Sequence, residues 1–121
     1  MPRNRLQIGM ARAYGLGAPS GEYRVLVDRL WPRGVSKEKL KADAWLKELA
    51  PSTKLRQWFG HRADRWEEFR ERYLEELTER AGDLAELRKI AAKHAVLLIY
   101  GARDEEHNHA IVLRDVLRKM K

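Results

Sequence analysis

Short apolar runs alternate along the chain with longer stretches in which apolar residues recur every three or four positions. The runs at 25–27 and 95–100 predict strands buried on both faces of a parallel sheet. The partly alternating segment 5–14 predicts a first strand, and segment 43–49 is interpreted as another. Because helical segments separate the later strands, we expect a single α/β domain over residues 1–121. Its expected architecture is a small, mostly parallel sheet of about four strands flanked by helices, with three layers as in flavodoxin and Rossmann folds.

Five helices are predicted between and after these strands. Ser36 and Ser52 are natural N-caps of two short helices, and Gly60 is placed to end the second, which covers 53–59. A longer helix follows, and its aromatic stripe is typical of core packing. The other expected boundaries are Asp64 as the cap of the long helix, Gly82 as its end, Asp83 as the cap of the next helix, and a last helix from about Glu105 to Met120.

Polar and aromatic side chains follow two of the predicted strands. The segment 28–34 comes directly after one, and 101–109 comes after the other. Pro32 cannot donate to a strand ladder, so regular pairing should stop near Trp31. Because the carboxyl ends of parallel strands share one edge of a sheet, where open α/β sheets place their ligands, we expect the two segments to form one site. A loop that contains Gly101 and leads into a helix offers free N–H groups, which favour an anion.

We expect this edge to hold a pocket for a phosphorylated or carboxylated small molecule or a nucleotide, since arginine forks suit such anions. Structural ion pairs are the alternative role for each single arginine. The expected ligand-binding residues are Arg29, Trp31, Arg33, Arg56, His61 and Arg103. His109 and Asp28 are the candidates for acid/base catalysis, and the sequence leaves catalysis and binding alone as two open interpretations. The other tryptophans, Trp45, Trp58 and Trp66, are expected to pack.

The chain carries a formal charge of +7, from 25 Lys and Arg against 18 Asp and Glu. This basic balance fits anionic partners, and it also fits a surface covered in helical ion pairs. The alternative function is therefore a nucleic-acid-associated protein without enzymatic activity, or an oligomerising scaffold that uses the last helix. A homo-oligomer is compatible with either function. No apolar run approaches the roughly 18 residues of a membrane span, so we expect no membrane partner.

The sequence contains no cysteine. Disulfides, thiolate metal ligands and thiol nucleophiles are thereby excluded, and a cytoplasmic location is the simplest interpretation. His107 and His109 are one residue apart at the start of a predicted helix, so they should point in different directions, and no metal site is expected. No nucleophile elbow, HExxH pair or phosphate-binding P-loop is present, and the sequence identifies no cofactor.

Several motifs are spread along nearly the whole chain: segment 23–34, Pro51-Ser52-Thr53 with Leu55-Arg56, Phe69-Arg70 with Tyr73, segment 97–102, and Asn108-His109-Ala110. With these motifs the chain resembles the YeaO-like family of bacteria and archaea, a branch of the larger domain of unknown function 488. The resemblance implies a compact α/β domain and supplies no reaction.

Two elements of the chain depart from the wider group that the YeaO-like family belongs to. Its members tend to have Cys-His-Arg in place of Asn108-His109-Ala110, and a cysteine in place of Tyr100. Both departures remove thiols. Only His109 matches the wider element, so the resemblance makes His109, together with Asp28, Arg29 and Arg33, the set expected to carry any shared role.

Overall fold

A computed structural model describes residues 6–120, so Arg5 of the predicted first strand and Lys121 lie outside the described residues. The strands are β1 (Ile8–Arg12), β2 (Tyr23–Leu26), β3 (Ala44–Trp45) and β4 (Val96–Tyr100). The α-helices are α1 (Lys37–Leu40), α2 (Thr53–Phe59), α3 (Trp66–Leu77), α4 (Ala81–Lys93) and α5 (His109–Lys119). Short 3₁₀ turns cover Lys47–Leu49, Ala63–Arg65 and Thr78–Arg80.

The four described strands form one sheet in the order β1-β4-β2-β3, and every neighbouring pair is parallel. β4 lies between β1 and β2, as expected for its wholly apolar sequence. The N–H of Val27 still donates to the carbonyl of Ile99 at 3.0 Å, just beyond β2. The predicted α/β class and the parallel sheet are thus confirmed, and the carboxyl ends of the strands share one edge.

Alternation along the strands sends side chains to two cores. Val25 and Leu98 face the larger core, which contains buried residues of α2, α3, α4 and α5. Leu26 and Ile99 face a smaller core on the other side, where Leu40 of α1 and the loops around it cover the sheet. The sheet is therefore the middle layer of three, as predicted, with the longer helices on one side.

The predicted third strand is much shorter than segment 43–49. Only Ala44 and Trp45 pair with β2, and the chain then turns through the 3₁₀ segment. Leu46 and Leu49 both pack into the larger core. Residues three apart face opposite sides of a strand but the same side of a helical turn, so burial of both leucines requires the turn.

The serine caps are confirmed, and the Asp64 cap is wrong. The Ser36 and Ser52 hydroxyls accept hydrogen bonds from the N–H groups of Lys39 and Leu55, both at 3.1 Å. Gly60 ends α2 in the left-handed conformation at φ +53°. Asp64 instead lies in a 3₁₀ turn before α3, where its carboxylate pairs with the guanidinium of Arg62 at 2.9 Å.

The predicted break at Gly82 is also wrong. α4 already begins at Ala81, so Gly82 and Asp83 lie inside its first turn, and Asp83 is not the cap. The chain leaves α3 earlier, in the turn Thr78–Arg80, where the Thr78 hydroxyl donates to the carbonyl of Glu75 at 2.6 Å. A local side chain to backbone bond thus ends the helix before the glycine.

The last helix begins at His109, four residues later than expected. Oδ1 of Asp104 accepts hydrogen bonds from the N–H groups of Glu106 and His107 at 2.8 and 3.0 Å, which holds this segment in a turn. Asn108 is the N-cap, and its Oδ1 accepts from the N–H of Ile111 at 3.2 Å. The side chains of Asp104 and Asn108 therefore hold this segment out of the helix, and α5 starts only at His109.

Candidate functional site

The ends of β2 and β4 are joined directly at the carboxyl edge of the sheet. The N–H of Gly101, just after β4, donates to Oδ2 of Asp28 at 2.9 Å. Nε2 of His109, the first residue of α5, lies 2.9 Å from the carbonyl oxygen of Val27 and 3.0 Å from Oδ1 of Asp28. The side chains of Asp28 and His109 are 19% and 13% exposed. Two strand ends and a helix start therefore meet at these residues.

The contacts of His109 fix the state of one ring nitrogen. A backbone carbonyl and a carboxylate both accept hydrogen bonds, so Nε2 must carry a hydrogen. The bond is directed at the Val27 carbonyl, and Oδ1 of Asp28 is buried without a well-directed donor. Nε2 thus holds the start of α5 against the end of β2.

Arg29 binds the backbone of the chain. Its Nε donates to the carbonyl of Pro51, and its Nη2 donates to the carbonyl of Ala50, both at 3.1 Å. Ala50 and Pro51 are buried. The guanidinium fork therefore fastens the loop before α2 to the end of β2, which positions α2 beside the site.

A cleft of about 250 Å³ opens at this edge of the sheet and is called the carboxyl-edge cleft below. Phe59 and Phe69, whose stacked rings lie 4.3 Å apart, form part of its wall. Arg33, Arg56 and His61 are exposed and also line it. Within residues 6–120, the side chains of Arg33 and Arg56 make no hydrogen bond or ion pair. The cleft thus combines an aromatic wall with cations that have no acidic partner in the part of the chain that the structure describes.

The structure brings all but one of the predicted site residues to this cleft. Those that line it are Asp28, Arg29, Trp31, Arg33, Arg56, His61 and His109. Arg103 lies outside it, in an adjoining depression that also contains Arg12, Arg33, His61 and Asp104 and is called the arginine depression below. The two hollows share Tyr14, Arg33 and His61 on their common border.

Trp31 lines the carboxyl-edge cleft, and its indole N–H is already used. Nε1 donates to the carbonyl of Val35 at 2.6 Å, and the ring meets Trp45 edge-on at 5.4 Å. Trp45, which the sequence predicts to pack, does so at the surface, where it is 39% exposed. Its Nε1 donates to the carbonyl of Asp28 at 2.7 Å. This hydrogen bond ties the side chain of Trp45 to the backbone just after β2.

Three residues near the site were missed by the sequence interpretation. Arg12 is the last residue of β1 and Tyr14 follows it, at the same edge of the sheet, and Tyr14 donates its hydroxyl to the carbonyl of Arg33 at 3.0 Å. His107 lines the carboxyl-edge cleft, and its ring meets Trp66 edge-on at 5.4 Å. The rule that gathered the ends of β2 and β4 applies equally to β1, so the signal for Arg12 and Tyr14 was present.

Asp104 is engaged by its own loop. Hydrogen bonds from the N–H of Glu106 and from the side chain and N–H of His107 hold the pKa of the Asp104 carboxyl below its usual range. Nδ1 of His107 lies 3.0 Å from Oδ2 of Asp104. This carboxylate therefore stays ionised around neutral pH and is paired within residues 104–107, even though it borders the arginine depression.

Tyr73 is a buried neutral neighbour of His109. Its ring meets the imidazole edge-on at 6.2 Å, and its hydroxyl donates to the carbonyl of Leu49 at 2.6 Å. Burial raises the pKa of Tyr73 well above its usual value. Tyr73 therefore supports the site by packing and does not act as a base.

The rings of His107 and His109 lie next to different carboxylates: His107 contacts Asp104, and His109 contacts Asp28. Across residues 6–120 no three histidine, aspartate or glutamate side chains are grouped closely enough to hold a metal ion. In the same part of the chain, no helix has both the length and the apolar composition needed to cross a bilayer.

Comparison with known proteins places the sequence among relatives of similar length. The family model DUF488-N3i, described as the inactive DUF488-N3 subclade, matches residues 7–120. Uncharacterized protein YeaO of Escherichia coli K12 is 43% identical over 115 residues, which are 95% of this chain and 100% of that protein. Uncharacterized protein Rv3073c of Mycobacterium tuberculosis H37Rv is 40% identical over 111 residues, 92% of this chain and 93% of that protein. No solved structure gives a significant match.

Proposed function

Because the chain belongs to the YeaO-like DUF488-N3i family, we propose that it binds an anionic small molecule in the carboxyl-edge cleft without catalysing a reaction on it. The ligand carries a phosphate or carboxylate and a flat or apolar part, as a nucleoside monophosphate does. One observation carries the proposal: Arg33 and Arg56 line an aromatic-walled cleft and have no acidic partner among the described residues.

In this proposal, arginines bind the anionic group of the ligand, and aromatic side chains bind its flat or apolar part. Arg33 and Arg56 donate hydrogen bonds to the anionic group, each contributing about 1.5–3 kcal/mol when formed to a charged acceptor. Trp31, Phe59 and Phe69 contact the flat or apolar part. The carboxylate of Asp28 opposes the anion less than a fully open carboxylate would, because the N–H of Gly101 donates to its Oδ2 at 2.9 Å.

Three features favour binding over catalysis. The family is described as an inactive subclade, and the chain has no thiol where members of the wider group tend to have cysteines. Nε2 of His109 is committed to the Val27 carbonyl, so proton transfer from this atom would break a contact that holds α5. In this proposal His109 and Asp28, the acid/base candidates of the sequence, are positioning residues. The cytoplasmic location and self-association stay predictions from the sequence alone.

Titration calorimetry with adenosine monophosphate tests the proposal through the variant Arg56→Gln. We expect affinity to fall about tenfold, the lower end of what one charge-assisted hydrogen bond contributes, because Arg56 is exposed. Arg118→Gln is the matched control, since it removes the same charge near the end of α5, roughly 15 Å along the helix from the cleft. Equal affinities for Arg56→Gln and Arg118→Gln, or no binding to the unaltered protein, would contradict the proposal.

A further inference from the structure

The arginine depression adjoins the carboxyl-edge cleft, and five residues line both hollows. Tyr14, Arg33 and His61 border both hollows, as do Gly101 and Ala102. Arg33 therefore lies where it can contact a ligand in either hollow. The cations found on this side are Arg12 and Arg103, which do not line the cleft itself.

Arg12 is held in place before any ligand arrives. Its Nε donates to the carbonyl of Ala102 at 2.9 Å, and its guanidinium lies 5.3 Å above the ring of Tyr14. Neither Nη group bonds to a described residue, and neither is a buried unpartnered atom. A guanidinium fixed through one nitrogen, with two open donors, loses little conformational entropy when it binds an anion.

Tyr14 links the two arginines that flank it. Arg12 stacks over the ring, and the hydroxyl donates to the backbone carbonyl of Arg33 at 3.0 Å. The end of β1 and the loop after β2 are therefore tied together at the border of the two hollows. This link fixes the backbone that carries Arg33 relative to the side chain of Arg12.

Within residues 6–120, no acidic side chain is ion-paired with this cluster. Arg12, Arg33 and Arg103 take part in no ion pair there. The one carboxylate that lines the depression is Asp104, which is bonded to Glu106 and His107 of its own loop. Like-charged side chains around one hollow raise each other's energy, and a polyanion relieves that repulsion.

We propose that the arginine depression binds a second phosphate of the ligand held in the cleft, so that the preferred ligand class is a nucleoside diphosphate rather than a monophosphate. This inference rests on the proposed function for the placement of the first phosphate and the base. Arg33 contacts the link between the two phosphates, and Arg12 and Arg103 donate to the outer one.

Calorimetry with adenosine diphosphate, adenosine monophosphate and inorganic pyrophosphate tests the inference. We expect the diphosphate to bind at least tenfold more tightly than the monophosphate, and Arg12→Gln to remove most of that difference while changing monophosphate affinity less than twofold. Arg103→Gln is the second variant: its side chain is exposed and takes part in no ion pair or side-chain hydrogen bond within residues 6–120, so we expect the variant to fold. It should also lower diphosphate affinity several-fold.

The outcomes separate the two proposals. Equal affinity for both nucleotides, or diphosphate binding that neither variant changes, would overturn the inference and leave the proposed function standing. If pyrophosphate binds in a way that depends on Arg12 and the monophosphate does not bind, the result would support an anion site in the arginine depression. It would contradict the proposed binding site in the carboxyl-edge cleft. Tighter binding of a single-stranded oligonucleotide than of the diphosphate, with a steep loss of affinity in salt, would instead assign the depression to a nucleic-acid backbone.

Discussion

Replacing Arg29 by methionine should lower the free energy of unfolding by about 2–4 kcal/mol, because two charge-assisted hydrogen bonds to the backbone are lost. The acceptors are the carbonyls of Ala50 and Pro51, each 3.1 Å from its donor and each in a buried residue. A carbonyl that is buried without a hydrogen-bond donor has lost its contacts with water and gains no bond in exchange, which lowers the stability of the folded state. Urea unfolding followed by tryptophan fluorescence measures the loss as a lower midpoint at unchanged slope.

Arg33→Met is the matched control for this prediction. It removes the same charge four residues further on, from an exposed side chain that bonds to no described residue, so stability should change by less than about 0.5 kcal/mol. Arg29→Lys keeps the charge but cannot span both carbonyls, and its stability should lie between Arg29→Met and the unaltered protein. Equal losses for Arg29→Met and Arg33→Met would show that Arg29 acts through charge alone and not as a fork.

Gly101→Ala should disrupt the junction of β2, β4 and α5. A Cβ at position 101 would lie 2.9 Å from Oδ2 of Asp28, the atom that accepts the hydrogen bond of Gly101 itself. To relieve this contact the carboxylate of Asp28 must move, which weakens its hydrogen bond with the N–H of Gly101. The same movement changes the position of Asp28 relative to His109. We expect a loss of about 2 kcal/mol in unfolding free energy, the size of a disturbed, partly buried hydrogen bond to a charged group, and weaker binding of adenosine monophosphate.

Gly82→Ala serves as the control for the Gly101 substitution. Position 82 lies in the first turn of α4, and an added Cβ there meets no atom within 4 Å. Alanine favours a helix over glycine, so this variant should be unchanged or up to about 1 kcal/mol more stable. Unchanged stability and binding in Gly101→Ala would show that Asp28 tolerates the contact and that the junction is not needed for the cleft.

The sheet could be predicted from the sequence because its signal is strong and local. The apolar run of β4 between two helical segments has few alternatives to a central parallel strand, and the topology then brings Asp28 and Gly101 to one edge. Helix boundaries were less predictable, because side chains of Asp104, Asn108 and Thr78 bond to nearby backbone and shift them by several residues. Which of these competing bonds forms depends on the tertiary setting.

The residue types at the site could be predicted, but their roles could not. Arg29 and Arg33 are equivalent in a sequence pattern, yet only Arg29 meets two backbone carbonyls, because the loop at 50–51 folds back beside β2. Arg103 lies at the predicted sheet edge but on the far side of the border formed by Tyr14. An arginine that binds backbone carbonyls can be told from one that does not only when the positions of segments distant in sequence are known.

The most direct test of the central proposal, anion binding in the carboxyl-edge cleft, is an NMR titration of the unaltered protein with adenosine monophosphate. We expect the backbone amide signals of His61, Gly101 and Asn108, residues that line the cleft, to shift and saturate with one dissociation constant. The amide signals of α4, whose residues line neither hollow, should stay in place. Saturating shifts confined to α4, or no shifts at millimolar nucleotide, would contradict the proposal.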